Sequence, residues 1–206
     1  MVFELKRAIE QEKRIFYTFK TVIIGAQSVG KTCLFNRFCF NSFNFDTSLT
    51  IGINFHSLNL KIKQKNQINI LGESYIVNSI FDFGGQERFK PLLPKFLEGA
   101  NGALLVFDLI NKKTFSQLDF WYDQLIEHAS GYYIPKILVG SKFDLVGNTP
   151  KEERVEDNSI IQFVKEKKLD RFYKTSALEN YNVVEVFKDL SNLMLKKQNS
   201  NFVVLE

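Results

Sequence analysis

The hydrophobic pattern of the chain alternates between short apolar runs and longer amphipathic stretches. The apolar runs are rich in β-branched and aromatic residues, which is typical of strands, and the longer stretches repeat with helical spacing. Strands are predicted at residues 15–24, 53–62, 75–81, 103–107, 137–139 and 172–175. Helices are predicted at residues 2–13, 31–38, 115–128, 158–167 and 183–197. Strands that alternate with helices predict a three-layer α/β fold with a mostly parallel, six-stranded sheet between helices.

The chain contains no internal repeat and no linker rich in Gly, Pro or Ser that would divide it. We therefore predict one domain at residues 15–197, with a short N-terminal helical extension at 1–14 and a C-terminal tail at 198–206. The Asn, Lys and Gln residues of the stretch 61–69 indicate a solvated hairpin tip, and a partner-binding role is the less favoured alternative.

The charge and the cysteine content of the chain exclude some classes of protein. The 206 residues carry 27 Lys and Arg against 23 Asp and Glu, and this net charge of +4 is small and dispersed. A nucleic-acid partner is therefore not expected, because it would require basic residues clustered on one face. The only two cysteines, Cys33 and Cys39, exclude a disulfide framework and indicate a reducing compartment.

Membrane signals are also missing from the sequence. It has neither an apolar run of about 18 residues nor the apolar segment of a secretion signal. Val2 stands where N-myristoylation needs Gly, and residues 202–206 include no cysteine to prenylate. We expect a soluble, cytoplasmic monomer without a direct lipid anchor, which reaches membranes only through partners or the N-terminal helix.

A phosphate-binding motif occupies residues 25–32, where Gly-Ala-Gln-Ser-Val-Gly-Lys-Thr matches G-x-x-x-x-G-K-[ST] between a predicted strand and helix. The glycines let the backbone curl so that its amides point at an anion, next to the positive end of the helix. Lys31 would reach the β- and γ-phosphates, and Thr32 would offer its hydroxyl to Mg²⁺. The predicted contacts are Gly25, Gln27, Ser28, Val29, Gly30, Lys31, Thr32 and Cys33. This motif alone does not separate ATPases, nucleotide kinases and GTPases.

Three further polar segments follow predicted strands. Asp82-Phe83-Gly84-Gly85-Gln86 places a carboxylate that can face a metal through a water, and an amide of Gly85 that can donate to a γ-phosphate. Residues 141–144 and 175–177 follow two later strands. Because ligands of open α/β sheets bind at the carboxyl ends of the strands, we expect all three segments to meet at one site.

With these motifs the chain resembles a Ras-superfamily small GTPase of the Rab-like branch, from about residue 20 to residue 197. The resemblance is carried by the phosphate loop, by Thr50-Ile51-Gly52 and by Gly85-Gln86-Glu87-Arg88-Phe89. It implies a G domain that binds GTP or GDP with Mg²⁺, hydrolyses GTP slowly and acts in signal transduction and vesicle trafficking. It also implies effectors, an exchange factor and a GTPase-activating protein as partners.

The resemblance assigns roles to individual residues around the nucleotide. Thr50 would complete the contacts to Mg²⁺ and the γ-phosphate, and Phe43 would pack across the guanine ring. Asp144 would accept the N1 and 2-amino hydrogens of guanine, and the Ser176-Ala177 pair would donate a backbone N–H to its O6. Ser141, Lys142 and Leu178 complete the implied nucleotide contacts.

Catalysis and partner binding are also implied. Gln86 would orient the attacking water, while Lys31 and the loop amides would stabilise charge. No arginine occurs between residues 43 and 50, so we expect slow turnover that a partner arginine accelerates. The aromatic positions implied for effector contact are Phe55, Phe81 and Phe96, and ordinary core packing is the alternative for each.

Several positions depart from the family pattern. Ser141 replaces the usual Asn, so we expect the link to the phosphate loop to be lost and nucleotide affinity to be weaker, with guanine preference retained. This small residue and the Gly84-Gly85 pair are similar to the septation and mitotic-exit GTPases. Gln27 replaces Gly or Ser, and it either slows hydrolysis or folds outward. Pro91 and Pro94 fall after Gln86, in the segment that the resemblance implies is the second switch. There they would interrupt a helix or confine it to short turns, so the family does not predict the conformation of this segment.

Two alternatives stay open at this point. Gln27, Ser141 and the two prolines are consistent with a GTP-binding interaction module with negligible hydrolysis. A small-molecule kinase shares the phosphate loop but leaves Asp144 and residues 176–177 without a role.

The hairpin between the second and third predicted strands is longer than in the family. Residues 50 to 72 span 22 positions, against about 14 in a typical Rab-like chain, so we expect an extended hairpin away from the nucleotide.

Overall fold

The computed structural model describes residues 13–45, 49–65, 73–129 and 133–205, and these form one seven-stranded sheet in the order β6-β5-β4-β1-β3-β2-β7. β2 pairs antiparallel with both of its neighbours, and the other pairs are parallel. The strands are β1 Arg14–Gly25, β2 Ile53–Gln64, β3 Ser74–Phe83, β4 Gly102–Asp108, β5 Lys136–Ser141, β6 Arg171–Lys174 and β7 Phe202–Val204. The predicted leading helix lies almost entirely outside the described residues.

Helices cover both faces of the sheet, which confirms the predicted three-layer α/β fold. They are α1 Lys31–Phe40, α2 Leu93–Leu97, α3 Lys112–Ser116, α4 Leu118–His128, α5 Phe143–Val146, α6 Asp157–Glu166 and α7 Val183–Lys197. Side chains of α1 and α7 pack on one face of the sheet, and those of α2, α4 and α6 pack on the other. The helix predicted at 115–128 is in fact two helices, α3 and α4, because the chain leaves helical hydrogen bonding at Gln117.

The centre of the sheet is buried on both sides, and every residue of β4 is buried along its apolar run at residues 103–107. In β4, Leu104 and Val106 face α1 and α7, while Leu105 and Phe107 face the opposite layer. Such continuous apolar strands are typical of a parallel sheet covered by two helical layers. The two cores hold the carboxyl ends of the strands in place, and the candidate site lies at that edge.

The first three strands extend far beyond the site, at the opposite end of the sheet. β2 has twelve residues and β3 has ten, which confirms the predicted extension of this hairpin. The pairing there runs from Arg14 of β1 to Ser74 of β3, and from Ile62 of β2 to Val204 of β7. The tip of the hairpin lies outside the described residues.

The prediction of six strands was wrong by one, because part of the predicted tail pairs with the sheet. Strand β7 binds the edge of β2 and satisfies backbone groups that an edge strand would leave open. Val204 is buried in the core, and the ring of Phe202 lies 4.5 Å from that of Phe16. Burial of Val204 and the contact between the two rings favour the pairing of this short strand.

No helix in the described part of the chain combines the length and the apolar composition that crossing a bilayer requires.

Candidate functional site

The loop between β1 and α1 encloses one side of an open cavity of about 290 Å³. Gly25 ends β1 with φ 149°, and a Cβ there would lie 2.1 Å from the carbonyl oxygen of Val106, so only glycine fits. Gly30 has φ 88° and precedes the first turn of α1, whose residues Lys31, Thr32 and Cys33 line the cavity. The cavity is lined by Gln27, Ser28, Gly30, Lys31, Thr32, Cys33, Leu49, Thr50, Gly85, Gln86 and Lys142.

Lys31 is a buried cation within this loop. Its Nζ donates to the carbonyl oxygens of Gly25, at 2.9 Å, and Ala26, at 2.6 Å. Burial lowers the pKa of Lys31 to about 8, although the nearby charge of Asp82 opposes that shift. Among the described residues no carboxylate lies within ion-pair distance of this ammonium. A buried ammonium of this kind favours an anionic ligand, because the anion stabilises the charged form.

Oxygens from three separate segments meet at the start of α1. The hydroxyl of Thr32 donates to Asp82 Oδ2 at 2.6 Å. The hydroxyls of Thr32 and Thr50 lie 2.6 Å apart, so Thr50 must supply the hydrogen between them. Asn54 also donates to Asp82 Oδ2, at 3.1 Å. Burial raises the pKa of Asp82, against the opposing effects of the Thr32 hydrogen bond, the Lys31 charge and the Asn54 hydrogen bond.

This oxygen cluster fits Mg²⁺, which prefers hard oxygen ligands. Asp82 Oδ1 is buried and has no hydrogen-bond partner among the described residues, so one carboxylate oxygen remains available to a cation or to its water. The described residues contain no cluster of three or more His, Cys, Asp or Glu side chains that would hold a metal alone. Magnesium sites that are completed by phosphate oxygens have few protein ligands, and the residues present match that type.

Two glycines after β3 allow three chain segments to come together. A Cβ on Gly84 would lie 2.7 Å from the carbonyl oxygen of Thr50, and one on Gly85 would lie 2.6 Å from the backbone of Ala26 and Gln27. The side chain of Gln86 donates to the carbonyl oxygen of Thr50 at 3.2 Å. The segment after β3 therefore contacts both the phosphate loop and the segment before β2.

The segment that follows Gln86 consists of short turns, which is one of the two outcomes that its prolines allowed. Residues Glu87–Leu92 form a 3-10 helix that contains Pro91, and Pro94 lies in the first turn of the five-residue helix α2. Proline lacks an amide hydrogen, so it is compatible with the first turn of a helix but interrupts its interior.

The expectation that Ser141 loses its link to the phosphate loop was wrong. The Ser141 hydroxyl lies 2.5 Å from the carbonyl oxygen of Val29 and 2.9 Å from that of Phe107. Because Ser141 is the last residue of β5, its short side chain already lies beside the loop and needs no longer amide to reach it. The expected weaker nucleotide affinity stays a prediction.

The residues after Ser141 form a second polar surface near the cavity. Lys142 has φ 60°, and its Nζ lies 2.7 Å from Asp108 Oδ2. The ring of Phe143 stacks on that of Tyr181 at 5.3 Å between centroids. Asp144 is half-buried at the start of α5, and within the described part of the chain its carboxylate has no hydrogen-bond or ion-pair partner.

A turn after β6 lies next to this surface, since the N–H of Phe143 donates to the carbonyl oxygen of Thr175 at 3.0 Å. Neither this turn nor Asp144 lines the cavity itself. Ser176 pairs with Tyr181 through two backbone hydrogen bonds of 3.1 and 2.9 Å, which closes the turn. Among the described residues no acceptor binds the N–H of Ala177, while the carbonyl oxygens of Ala177 and Leu178 accept from Arg37. The turn therefore has a backbone donor left for a ligand, the N–H of Ala177, while Arg37 binds the carbonyl oxygens of the same turn.

The aromatic residues predicted to bind ligands or effectors do not line the cavity. Phe43 packs edge-on against Phe45, with ring centroids 5.0 Å apart. Phe55 is 57% exposed and lies 4.8 Å from the half-buried ring of Phe81. Phe96 is only 4% exposed, so in this conformation it packs in the core beneath Phe81.

Four residues at the site were missed from the sequence: Leu49, which lines the cavity, and Asn54, Asp108 and Arg37, which hold other site residues. Asp108 ends a buried strand, as Asp82 almost does, and that position was the available signal. Asn54 and Arg37 carry no local signal, because each reaches a partner far away in the chain.

Fold and site together define a P-loop nucleotide-binding protein of the small GTPase class. The model of the Ras family matches residues 20–196. Arabidopsis thaliana Ras-related protein RABA6a is 35% identical over 176 residues, covering 85% of this chain and 69% of that protein. Dog Ras-related protein Rab-13 is 33% identical over 181 residues (88% and 82%), and Schizosaccharomyces pombe GTP-binding protein ypt3 is 35% identical over 178 residues (86% and 76%). The chain belongs to the Ras family and is a Rab-like small GTPase.

Proposed function

We propose that this protein binds GTP and GDP with Mg²⁺ and works as a slow GTP-hydrolysing switch. The observation that carries the proposal is the meeting of Thr32, Thr50 and Asp82 within hydrogen-bond distance, next to the buried ammonium of Lys31. Oxygen ligands for a divalent cation and a cation for phosphate oxygens are the two parts that a nucleoside triphosphate site needs.

Selectivity for guanine rests on two groups. The unpartnered carboxylate of Asp144 is an acceptor for the N1 and 2-amino hydrogens of guanine, and the amide of Ala177 is a donor for O6. Adenine has an acceptor at N1 and a donor at its 6-amino group, so both contacts would be mismatched. Phe43 would pack on the ring once the nucleotide is bound.

Hydrolysis depends on charge stabilisation and on placing a water. Lys31 and the loop amides stabilise the negative charge that spreads over the transferred phosphoryl group. Bound Mg²⁺ would supply Lewis-acid stabilisation of the phosphate oxygens, held by Thr32 and Thr50 directly and by Asp82 through water. Gln86 is held by the carbonyl oxygen of Thr50 and must be freed to orient a water, which supports slow intrinsic turnover.

Switching follows from the same contacts. Thr50 reaches the site through its hydroxyl, and Gly85 reaches the phosphate loop only because it has no side chain. Both segments would gain a γ-phosphate contact with GTP and lose it with GDP, which is an order-to-disorder switch.

A GTP-binding module with negligible hydrolysis is the second candidate. Gln27 supports it, because this exposed side chain lies at the cavity beside Gly85. A side chain there occupies space that the γ-phosphate or a partner arginine would use. The small-molecule kinase alternative is wrong, since the chain belongs to the Ras family.

Partner binding would use the surface around the segments of Thr50 and Gly85, which change with the nucleotide. Ile51 is 78% exposed, and Ile53, Phe55 and Leu92 also expose much of their side chains, so this surface is apolar. We expect effectors to bind there when GTP is present. An exchange factor and a GTPase-activating protein would complete the cycle, and a monomeric, cytoplasmic protein that reaches membranes through partners fits it.

A competition titration tests the binding proposal. Nucleotide-free protein is titrated with fluorescent GDP in the presence of Mg²⁺, with unlabelled GDP or ADP as competitor. We expect GDP to compete at least about 100-fold better than ADP, and chelation of Mg²⁺ to weaken binding. Equal competition by ADP contradicts the proposal.

Single-turnover hydrolysis separates the two candidates. We expect measurable GTP cleavage that Gln86→Leu slows about tenfold with little change in GTP affinity. Gln117→Leu, in the linker between α3 and α4, is the matched control and should leave the rate unchanged. No cleavage by the unmodified protein would favour the module without hydrolysis.

A further inference from the structure

Arg37, in the last turn of α1, connects two loops that are far apart in the chain. Its Nε donates to the carbonyl oxygen of Ala177 at 2.7 Å, and its Nη2 donates to that of Leu178 at 3.2 Å. Its Nη1 donates to the carbonyl oxygen and the side-chain Oδ1 of Asn41, at 3.1 and 3.2 Å. All four acceptors are uncharged amide oxygens, and they belong to two separate segments.

Each of these segments leads to a group that faces the guanine base in the proposed function. The turn at Ser176–Leu178 carries the free amide of Ala177. Asn41 directly follows the last residue of α1 and has φ 49°. Phe43 lies two residues further along the chain. One guanidinium group therefore binds both of the segments that carry groups of the proposed base site.

We infer that Arg37 is a positioning residue that fixes the turn Ser176–Leu178 and the segment Asn41–Phe43 relative to each other, and so slows release of the guanine nucleotide. The inference rests on the proposed function and deepens it. Arg37 does not itself contact the base. Its effect comes through the Ala177 amide, whose direction it sets by holding the next two carbonyl groups.

The shape of the guanidinium group explains why arginine is needed. Its planar fork donates in several fixed directions at once, whereas the ammonium of lysine is a single point of charge on a flexible stem. Lysine at position 37 would keep the charge near the end of α1 and would still favour the helix dipole. It would not hold both segments together.

The test compares Arg37→Lys with the unmodified protein in two measurements. One is the rate of release of fluorescent GDP in the presence of Mg²⁺, and the other is the ratio of GDP affinity to ADP affinity. We expect release to be about tenfold faster and the affinity ratio to fall about tenfold, which corresponds to loss of one charge-assisted hydrogen bond. ADP affinity itself should stay nearly constant, because it depends on the phosphate loop.

Two further variants make the result specific. Asn41→Gly keeps the positive φ and the backbone carbonyl but removes the side-chain acceptor, so we expect a smaller effect, about twofold to threefold, in the same direction. Arg171→Lys, on the exposed end of the far strand β6, is the matched control and should change neither measurement.

The alternative is that Arg37 only caps the end of α1. In that case Arg37→Lys lowers the melting temperature but leaves the ratio of GDP to ADP affinity unchanged, and the inference is overturned. An unchanged release rate overturns it as well. If the unmodified protein itself shows no preference for GDP over ADP, then the proposed function has failed, and this inference fails with it.

Discussion

The two ends of the sheet are held together in different ways. At the end where β1 and β3 reach the cavity, separate loops are joined by polar contacts, such as those from Lys31 and Ser141 to backbone carbonyl oxygens. At the opposite end, the long strands are held together by pairing with β7, by burial of Val204 and by the contact between the rings of Phe16 and Phe202.

Because of this difference, we expect nucleotide binding and folding stability to depend on opposite ends of the sheet. Polar contacts between loops can be exchanged for contacts to a ligand, so the cavity end can change with the bound nucleotide. Strand pairing and apolar burial have no such alternative partner. We therefore expect substitutions at the cavity end to change nucleotide binding more than folding, and substitutions at the β7 end to do the reverse.

The largest expected effect is on binding, in Lys31→Met. The substitution removes the cation that faces the phosphates, so GDP affinity should fall about 1,000-fold, or about 4 kcal/mol. The nucleotide-free protein should not lose stability in proportion, because burial of a charged ammonium is itself unfavourable. Calorimetric titration and thermal unfolding measure the two quantities.

Lys61→Met is the matched control for this variant. Lys61 is an exposed lysine of β2 at the opposite end, paired with Glu73 at 2.7 Å. Its loss should leave GDP affinity unchanged. A similar loss of affinity in both lysine variants would contradict a phosphate role for Lys31.

The next largest effect is on stability, in Val204→Asp. A carboxylate at this buried position of β7 should lower the free energy of unfolding by about 3 kcal/mol, measured by urea denaturation. Val203→Asp places the same charge on the neighbouring, more exposed residue and should cost much less. If Val204→Asp changed GDP affinity of the folded protein strongly, the two ends would not be independent.

A smaller effect is expected from Ser141→Ala. Loss of the hydroxyl removes the hydrogen bond to the carbonyl oxygen of Val29, so GDP affinity should fall about tenfold through the loosened loop. Ser57→Ala removes an exposed hydroxyl that bonds Ser79 at 2.9 Å, and it should leave affinity unchanged. Wild-type affinity in Ser141→Ala would show that the link to the loop has no role in binding.

Parts of the structure were predictable from the sequence when the residues that determine them are close neighbours in the chain. The phosphate loop was predictable because Gly25 and Gly30 meet requirements of the backbone within a few residues, and the buried strands because their apolar runs are continuous. Pro91 and Pro94 predicted an interrupted helix or short turns for the same reason, since proline acts on its own helix.

Features that depend on distant partners were not predictable. β7 has only three residues, and its partner β2 lies about 140 positions earlier, so the pattern of 202–204 carries little information. The link from Ser141 to the phosphate loop spans 112 positions, and the comparison of side-chain length alone gave the wrong expectation. Arg37 looked like an ordinary polar position on a helix for the same reason.

The central claim is that the cavity end selects a guanine nucleotide, and the preference of Asp144→Asn tests it most directly. Asparagine offers an N–H₂ donor where aspartate offers only acceptors, so it suits the 2-oxo group of xanthine better than the 2-amino group of guanine. In competition titrations with Mg²⁺, we expect the unmodified protein to prefer GDP over xanthosine diphosphate and Asp144→Asn to reverse that preference. An unchanged preference for GDP in the variant would contradict the account.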